Sequence, residues 1–146
     1  MVQGFGDMSV SLALAAVGSA LGAGVAGMSA VGAWKRAFAQ NKAAPFIMVA
    51  FVGAPLSQTI YGMILRNAIR SANLPPETYL HQILLGAFAG FAMGMSAYMQ
   101  GKAGAKAADA LGETGKGFGQ YIMVLGIIET VALFIMVFTL AAIPRA

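Results

Sequence analysis

The chain has 146 residues, of which 59% are hydrophobic and only 10% are charged, whereas soluble domains carry about 25% charged residues. With a mean hydropathy of +0.77, this composition excludes an ordinary soluble domain and indicates one membrane-embedded domain. The absence of cysteine excludes a disulfide-stabilised scaffold. The net charge of +4 comes from basic residues scattered between apolar stretches, which favours control of membrane topology over nucleic-acid binding.

Four apolar stretches predict four transmembrane helices, at about residues 8–33, 45–65, 79–101 and 117–143. No Lys or Arg precedes the first stretch, and its apolar run is longer than that of a signal peptide, so we expect a retained helix. The sequence therefore predicts an all-α, multi-pass membrane protein.

The three predicted connections are residues 34–44, 66–78 and 102–116. The first and third carry six of the nine Lys and Arg residues, so the positive-inside rule places both in the cytoplasm. Both termini are then predicted to be extracytoplasmic. The third connection is rich in Ala, Gly and Lys, which allows the third helix to continue through it.

Glu129 lies near the middle of the fourth stretch, with twelve residues of that stretch before it and fourteen after it. A charge at this depth costs at least about 2.5–3.5 kcal/mol, and such acids usually mark ion or proton pathways. Every other acid in the chain lies at a terminus or in a connection. The alternative is a purely structural carboxyl that stays neutral or pairs with a neighbouring helix.

One face of the second helix carries four residues at the spacing i, i+3, i+4, i+7, namely Ala54, Ser57, Gln58 and Tyr61. Pro55 removes a backbone hydrogen bond there and loosens nearby carbonyl groups. Gln100 supplies a further amide oxygen from the third helix. Each residue alone is more often an interhelical hydrogen-bonding group, but one carboxylate among several neutral oxygens suits a monovalent cation.

An internal repeat relates the two halves of the chain. The tetrapeptide GMSA occurs at 27–30 and at 94–97, an offset of 67 residues, and Gln58-Thr59 aligns with Glu129-Thr130 at an offset of 71. In the first copy the neutral glutamine thus occupies the position of the acid. The chain is predicted to be a duplicated helical hairpin, with repeats at residues 1–73 and 74–146.

Small residues dominate the first and third helices, where Gly86, Gly90 and Gly94 form a stripe at four-residue spacing. Such stripes let helices approach closely in lipid. Two interpretations are open: tight packing within one four-helix bundle, or a crowded inner layer shared among many copies. The bulky second and fourth helices are expected to form a lipid-facing outer layer.

Over essentially its whole length the chain resembles the membrane-rotor proteolipid of V-type ATPases. The resemblance rests on the duplicated hairpin, the Gly/Ala-rich first helix, APLSQTIYG at 54–62, QGK at 100–102 and the ET pair that begins at Glu129. It is similar in particular to the bacterial sodium-translocating branch. Ser57 stands where that branch has threonine and Ala54 where it has leucine, but a hydroxyl and a backbone carbonyl survive both changes.

The resemblance implies a sodium ion bound by Glu129, Gln58, Gln100, Ser57 and the Ala54 carbonyl, with Tyr61 hydrogen-bonded to the carboxylate. It also implies a homo-oligomeric ring in the cell membrane, a stator membrane subunit with an arginine, and central-stalk subunits docked on the cytoplasmic loops.

The chain itself is expected to be non-catalytic, because GETGKG at 112–117 lacks the GKS or GKT of a phosphate-binding loop. ATP would be hydrolysed or made on partner subunits. The alternatives are a rotor subunit that translocates only protons and a small self-contained channel or carrier.

Overall fold

The computed structural model describes residues 6–144, in which every regular element is a helix. Four helical segments are long and apolar enough to cross a membrane, and this confirms the predicted fold class. We refer to them as the first to fourth spans, which are Val10–Ala39, Phe46–Ser71, Pro76–Thr114 and Phe118–Ala142. The chain ends, for which an extracytoplasmic side was predicted, lie outside the described residues.

The second span is not one continuous α-helix. It begins with a 3-10 turn at Phe46–Met48, continues as an α-helix at Val49–Gly53, and is interrupted by a second 3-10 turn at Ala54–Leu56. The α-helix resumes at Ser57–Ser71. The interruption contains Pro55, which has no N–H to donate to the preceding turn, so the predicted irregularity lies where the sequence placed it.

The first and second helices extend farther than predicted, and the third continues through its connection, as the composition of residues 102–116 allowed. The first span ends at Ala39, the second at Ser71 and the third at Thr114, so much of each predicted connection is helical. Alanine, lysine, arginine and glutamate are good helix formers, and leaving the bilayer does not stop such a helix. The third helix ends only where Gly115 and Gly117 adopt left-handed φ angles of 66° and 90°.

Two layers of helices make up the bundle. The first and third spans have the most extensive mutual contact, and the second and fourth spans pack against this pair. The fourth span is the most peripheral, since only 17% of its most apolar segment is buried, against 44% for the third span. This arrangement agrees with the expected inner and outer layers.

Glycines allow the close approach of the first and third spans. Gly18 lies directly against Gly94, and Gly22 against Gly101, so that a Cβ at any of these positions would overlap the opposite backbone. A Cβ at Gly90 would lie 2.6 Å from the Ser11 carbonyl oxygen. The predicted glycine stripe therefore packs within one bundle and is covered by the first span of the same chain.

The packing favours a different repeat register from the one that GMSA predicts. In the second hairpin Ser96 is level with Glu129, because its hydroxyl donates to the carbonyl of Ile128 at 2.9 Å. In the first hairpin Ser19 is level with Gln58, because contacts on either side pair Ala15 with Gly62 and Gly22 with Pro55.

Ser19 therefore corresponds to Ser96, 77 residues later, while Gln58 still corresponds to Glu129. In this register the segment 19–27, SALGAGVAG, shares Ser, Ala, Gly, Ala and Gly at matching positions with 96–104, SAYMQGKAG. The GMSA offset of 67 residues does not fit this packing register.

Two apolar clusters lie on opposite sides of the level that contains Gln58 and Glu129. One includes Leu65, Ile69 and Met93, and the other includes Met48, Phe51 and Leu125. Polar side chains at this level are thus separated from both membrane surfaces by packed hydrocarbon.

Candidate ion-binding site

Glu129 lies near the middle of the fourth span and is half-buried against the second and third spans. The Tyr61 hydroxyl donates a hydrogen bond to Glu129 Oε1 at 2.7 Å. Gln100 Nε2 donates to Glu129 Oε2 at 3.3 Å. Each carboxylate oxygen therefore accepts a hydrogen bond from a different span, which fixes the position of the group.

Gln58 and Gln100 form a fully buried amide pair, each with 0% of its surface exposed. Gln58 Nε2 donates to Gln100 Oε1 at 2.9 Å. Gln100 Nε2 also donates to the Leu125 carbonyl at 3.0 Å, one turn before Glu129. Gln100 thus connects the second span to the carboxylate.

Ser57 brings three neutral oxygen atoms together beside this pair. Its Oγ lies 3.2 Å from the Ala54 carbonyl oxygen and 3.2 Å from Gln58 Oε1. Ala54 belongs to the 3-10 turn that contains Pro55, so the local break in the helix places its carbonyl within reach of Ser57. A serine hydroxyl can rotate to donate to either acceptor and can also accept.

All six residues predicted for the site lie in one continuous hydrogen-bonded network, in the order Ala54, Ser57, Gln58, Gln100, Glu129 and Tyr61. The network contains one carboxylate and several neutral oxygens between two apolar clusters. Such a donor set can hold a proton or a dehydrated monovalent cation. The role of these residues as ion ligands stays a prediction.

Glu129 has no basic partner within the described part of the chain, where one salt bridge joins Arg36 and Asp109. Nor do residues 6–144 contain a group of three or more His, Cys, Asp or Glu side chains placed to hold a metal ion. Within residues 6–144 a structural ion pair therefore does not explain the half-buried acid, and the donor set differs from that of a transition-metal site.

Ser96 lies beside the site, and its role was not predicted, because in the sequence it stands out only as part of the GMSA motif. Its hydroxyl donates to the Ile128 carbonyl, which fixes the third span against the backbone beside Glu129. The available signal was a small hydroxyl residue one helical turn before Gln100, on the same face of the third span.

The second hairpin matches a known protein family. Residues 83–141 match the family model of the ATP synthase C subunit, and this segment includes Gln100 and Glu129. Searches of curated proteins and of solved structures returned no match. Proteins of the matched family form homo-oligomeric membrane rings beside a stator subunit in rotary ATPases. Over residues 83–141, which include the helix that holds the acid, the chain is therefore similar to the ATP synthase C subunit family.

Proposed function

We propose that this chain is the rotor-ring proteolipid of a V-type ATPase and that each copy carries one sodium ion at Glu129. The observation that carries this proposal is the buried network around the carboxylate. It offers the oxygen atoms of Ser57, Gln58 and Gln100 in addition to the acid.

The V-type assignment is supported by the duplicated hairpin with a single intramembrane acid. Gln58 occupies in the first hairpin the level that Glu129 occupies in the second, and the two positions are linked through Gln100. The family match covers the hairpin that holds the acid. A duplicated chain in which one copy has lost its acid accounts for both facts.

The choice of sodium is supported by the number and burial of the neutral oxygens. A proton needs only the carboxylate, whereas a dehydrated sodium ion needs several oxygen ligands. Burying polar amides is costly unless they are hydrogen-bonded or bind an ion, yet Gln58 and Gln100 are both fully buried. A cation site gives these side chains a function that proton transfer does not require.

In the proposed mechanism an ion enters through a half-channel in a stator subunit and neutralises Glu129. The occupied site then turns through lipid, because a neutral, fully liganded site avoids the penalty for a charge at the bilayer centre. An arginine of the stator subunit assists release at a second half-channel.

Coupling to ATP would use the helix ends that carry most of the basic residues, which the positive-inside rule assigns to the cytoplasm. Arg36 and Asp109 form an ion pair between the first and third spans at this end. The paired helix ends would dock the central stalk, so that ring rotation is coupled to ATP hydrolysis or synthesis on partner subunits.

The test is carbodiimide labelling of Glu129 in isolated membranes across pH, with sodium chloride compared with choline chloride at equal ionic strength. We expect millimolar sodium to protect Glu129 near neutral pH and choline to leave it reactive. A complete lack of protection by sodium at every pH would identify the ion as a proton. Ion transport by the purified chain without its ATPase partners would instead identify a self-contained channel or carrier.

A further inference from the structure

Ser19, in the middle of the first span, is a buried polar residue outside the network described above. Its side chain is 2% exposed. Within residues 6–144, its hydroxyl oxygen is the one buried side-chain nitrogen or oxygen atom without a hydrogen-bond partner. Unpaired buried polar groups are rare and costly in folded proteins, so the presence of this hydroxyl needs an explanation.

Ser19 lies opposite Gln58. Gly62 packs against Ala15, and Gly22 packs against the side chain of Pro55. The two helices run antiparallel. Ser19 comes four residues after Ala15, and Gln58 comes four residues before Gly62, so both lie one turn along from the same contact. Ser19 and Gln58 are both buried, and this register places them at the same level where the first and second spans meet.

Gln58 has one hydrogen-bonding group left for such a neighbour. Its Nε2 carries two protons, and one of them is donated to Gln100 Oε1 at 2.9 Å. Within residues 6–144, Gln58 Nε2 donates no second hydrogen bond. The second amide proton and the Ser19 hydroxyl oxygen are therefore a complementary donor and acceptor at the same level of the bundle.

We propose that Ser19 is a positioning residue of the cation site. Its hydroxyl accepts the second amide proton of Gln58 when a cation is bound, and it thereby holds Gln58 Oε1 toward the cation. A cation at Oε1 polarises the amide and makes its N–H groups stronger donors, so the bond is strongest in the ion-bound state. This inference rests on the proposed sodium-carrying function.

The repeat supplies independent support. Ser96 is the counterpart of Ser19 in the second hairpin, and its hydroxyl binds the backbone beside Glu129 at 2.9 Å. Each hairpin thus presents one serine from its Gly/Ala-rich helix to the level of the site. In the second hairpin this serine positions the backbone of the acid, and in the first hairpin it positions the glutamine.

The test compares Ser19→Ala with the wild-type ring in membranes, using sodium protection of Glu129 against carbodiimide. We expect the sodium concentration for half-protection to rise about fivefold, as for the loss of one net hydrogen bond. The pH dependence of labelling without sodium should stay unchanged, because a proton at Glu129 does not require Gln58. Ser29→Ala is the matched control, since it removes a hydroxyl from the same helix that is bonded to the Ala105 carbonyl.

Thermal stability of the ring separates positioning from general packing. Without sodium, Ser19→Ala should be at least as stable as the wild type, because it removes an unpaired buried hydroxyl. In saturating sodium, its melting temperature should rise less than that of the wild type.

The inference alone is overturned if sodium protects the wild type and Ser19→Ala at the same concentration. It is also overturned if Ser19→Ala and Ser29→Ala lose protection to the same extent, or if Ser19→Ala lowers ring stability without sodium. If sodium never protects the wild type, the proposed sodium function fails, and the inference fails with it.

Discussion

Replacement of Gln58 by leucine tests the distinction between a sodium site and a proton site. Leucine is close in volume to glutamine but lacks the atoms that donate to Gln100 at 2.9 Å and accept from Ser57 at 3.2 Å. Ser57 keeps the Ala54 carbonyl as an alternative acceptor at 3.2 Å. Gln100 Oε1 loses its partner, and a bound cation loses one ligand.

The magnitude follows from these losses. A neutral hydrogen bond contributes about 1 kcal/mol net, and one to a charged group about 1.5–3 kcal/mol. Loss of the Gln58 ligand together with the Gln58–Gln100 bond should weaken sodium binding by about 3 kcal/mol, or roughly a hundredfold. Proton access should survive, because Glu129 keeps its bonds to Tyr61 and Gln100.

The assay is carbodiimide labelling of Glu129 against a sodium titration at fixed pH. Gln58→Leu should label normally without sodium and should need roughly a hundredfold more sodium for protection. Gln82→Leu is the matched control, because Gln82 is also buried but bonds to Thr78 near the far end of the third span. Unchanged sodium protection in Gln58→Leu would refute Gln58 as a ligand.

Three further predictions use other parts of the structure. Glu129→Gln should abolish ATP-driven ion transport in reconstituted vesicles while rings still form, and normal transport would remove Glu129 from the mechanism. Gly90→Ala should destabilise the bundle in a thermal unfolding assay, because a Cβ there meets the Ser11 carbonyl at 2.6 Å, whereas Gly119→Ala has open space and should be tolerated. Asp109→Asn should change the unfolding free energy by less than about 1 kcal/mol, since its ion pair is about half exposed; a larger loss would show that the pair is more than a surface contact.

The site was predictable because polar groups in an apolar helix are rare and costly. Glu129 is the sole acid of its span, and the spacing of Ser57, Gln58 and Tyr61 put them on one helical face. The structure brings these residues together with Gln100 and joins them by hydrogen bonds. What the sequence could not supply was the direction of each bond, since either amide of the glutamine pair could have been the donor.

Helix ends and the partner of the glycine stripe were harder to predict. Lys35 and Arg36 mark the predicted end of the first apolar stretch but do not end the helix, so the first span continues past them to Ala39. The third span continues to Thr114, as the composition of residues 102–116 allowed. A Gly stripe indicates that some backbone comes close, but not whether it belongs to the same chain. Only the packed structure shows that Gly94 lies against Gly18 of the same chain.

The repeat register shows why rare residues are more informative than common ones in a membrane protein. GMSA is four letters long, yet Gly, Ser and Ala recur throughout the first and third spans, so a chance match is easily found. Gln58 is the one glutamine of the second span and Glu129 the one acid of the fourth span, and their pairing agrees with the packing. Alignment of the hairpins should therefore begin from the buried polar residues, and it then pairs Ser19 with Ser96. That pairing identifies the unpaired hydroxyl of Ser19, in the first span, as a candidate part of the ion site.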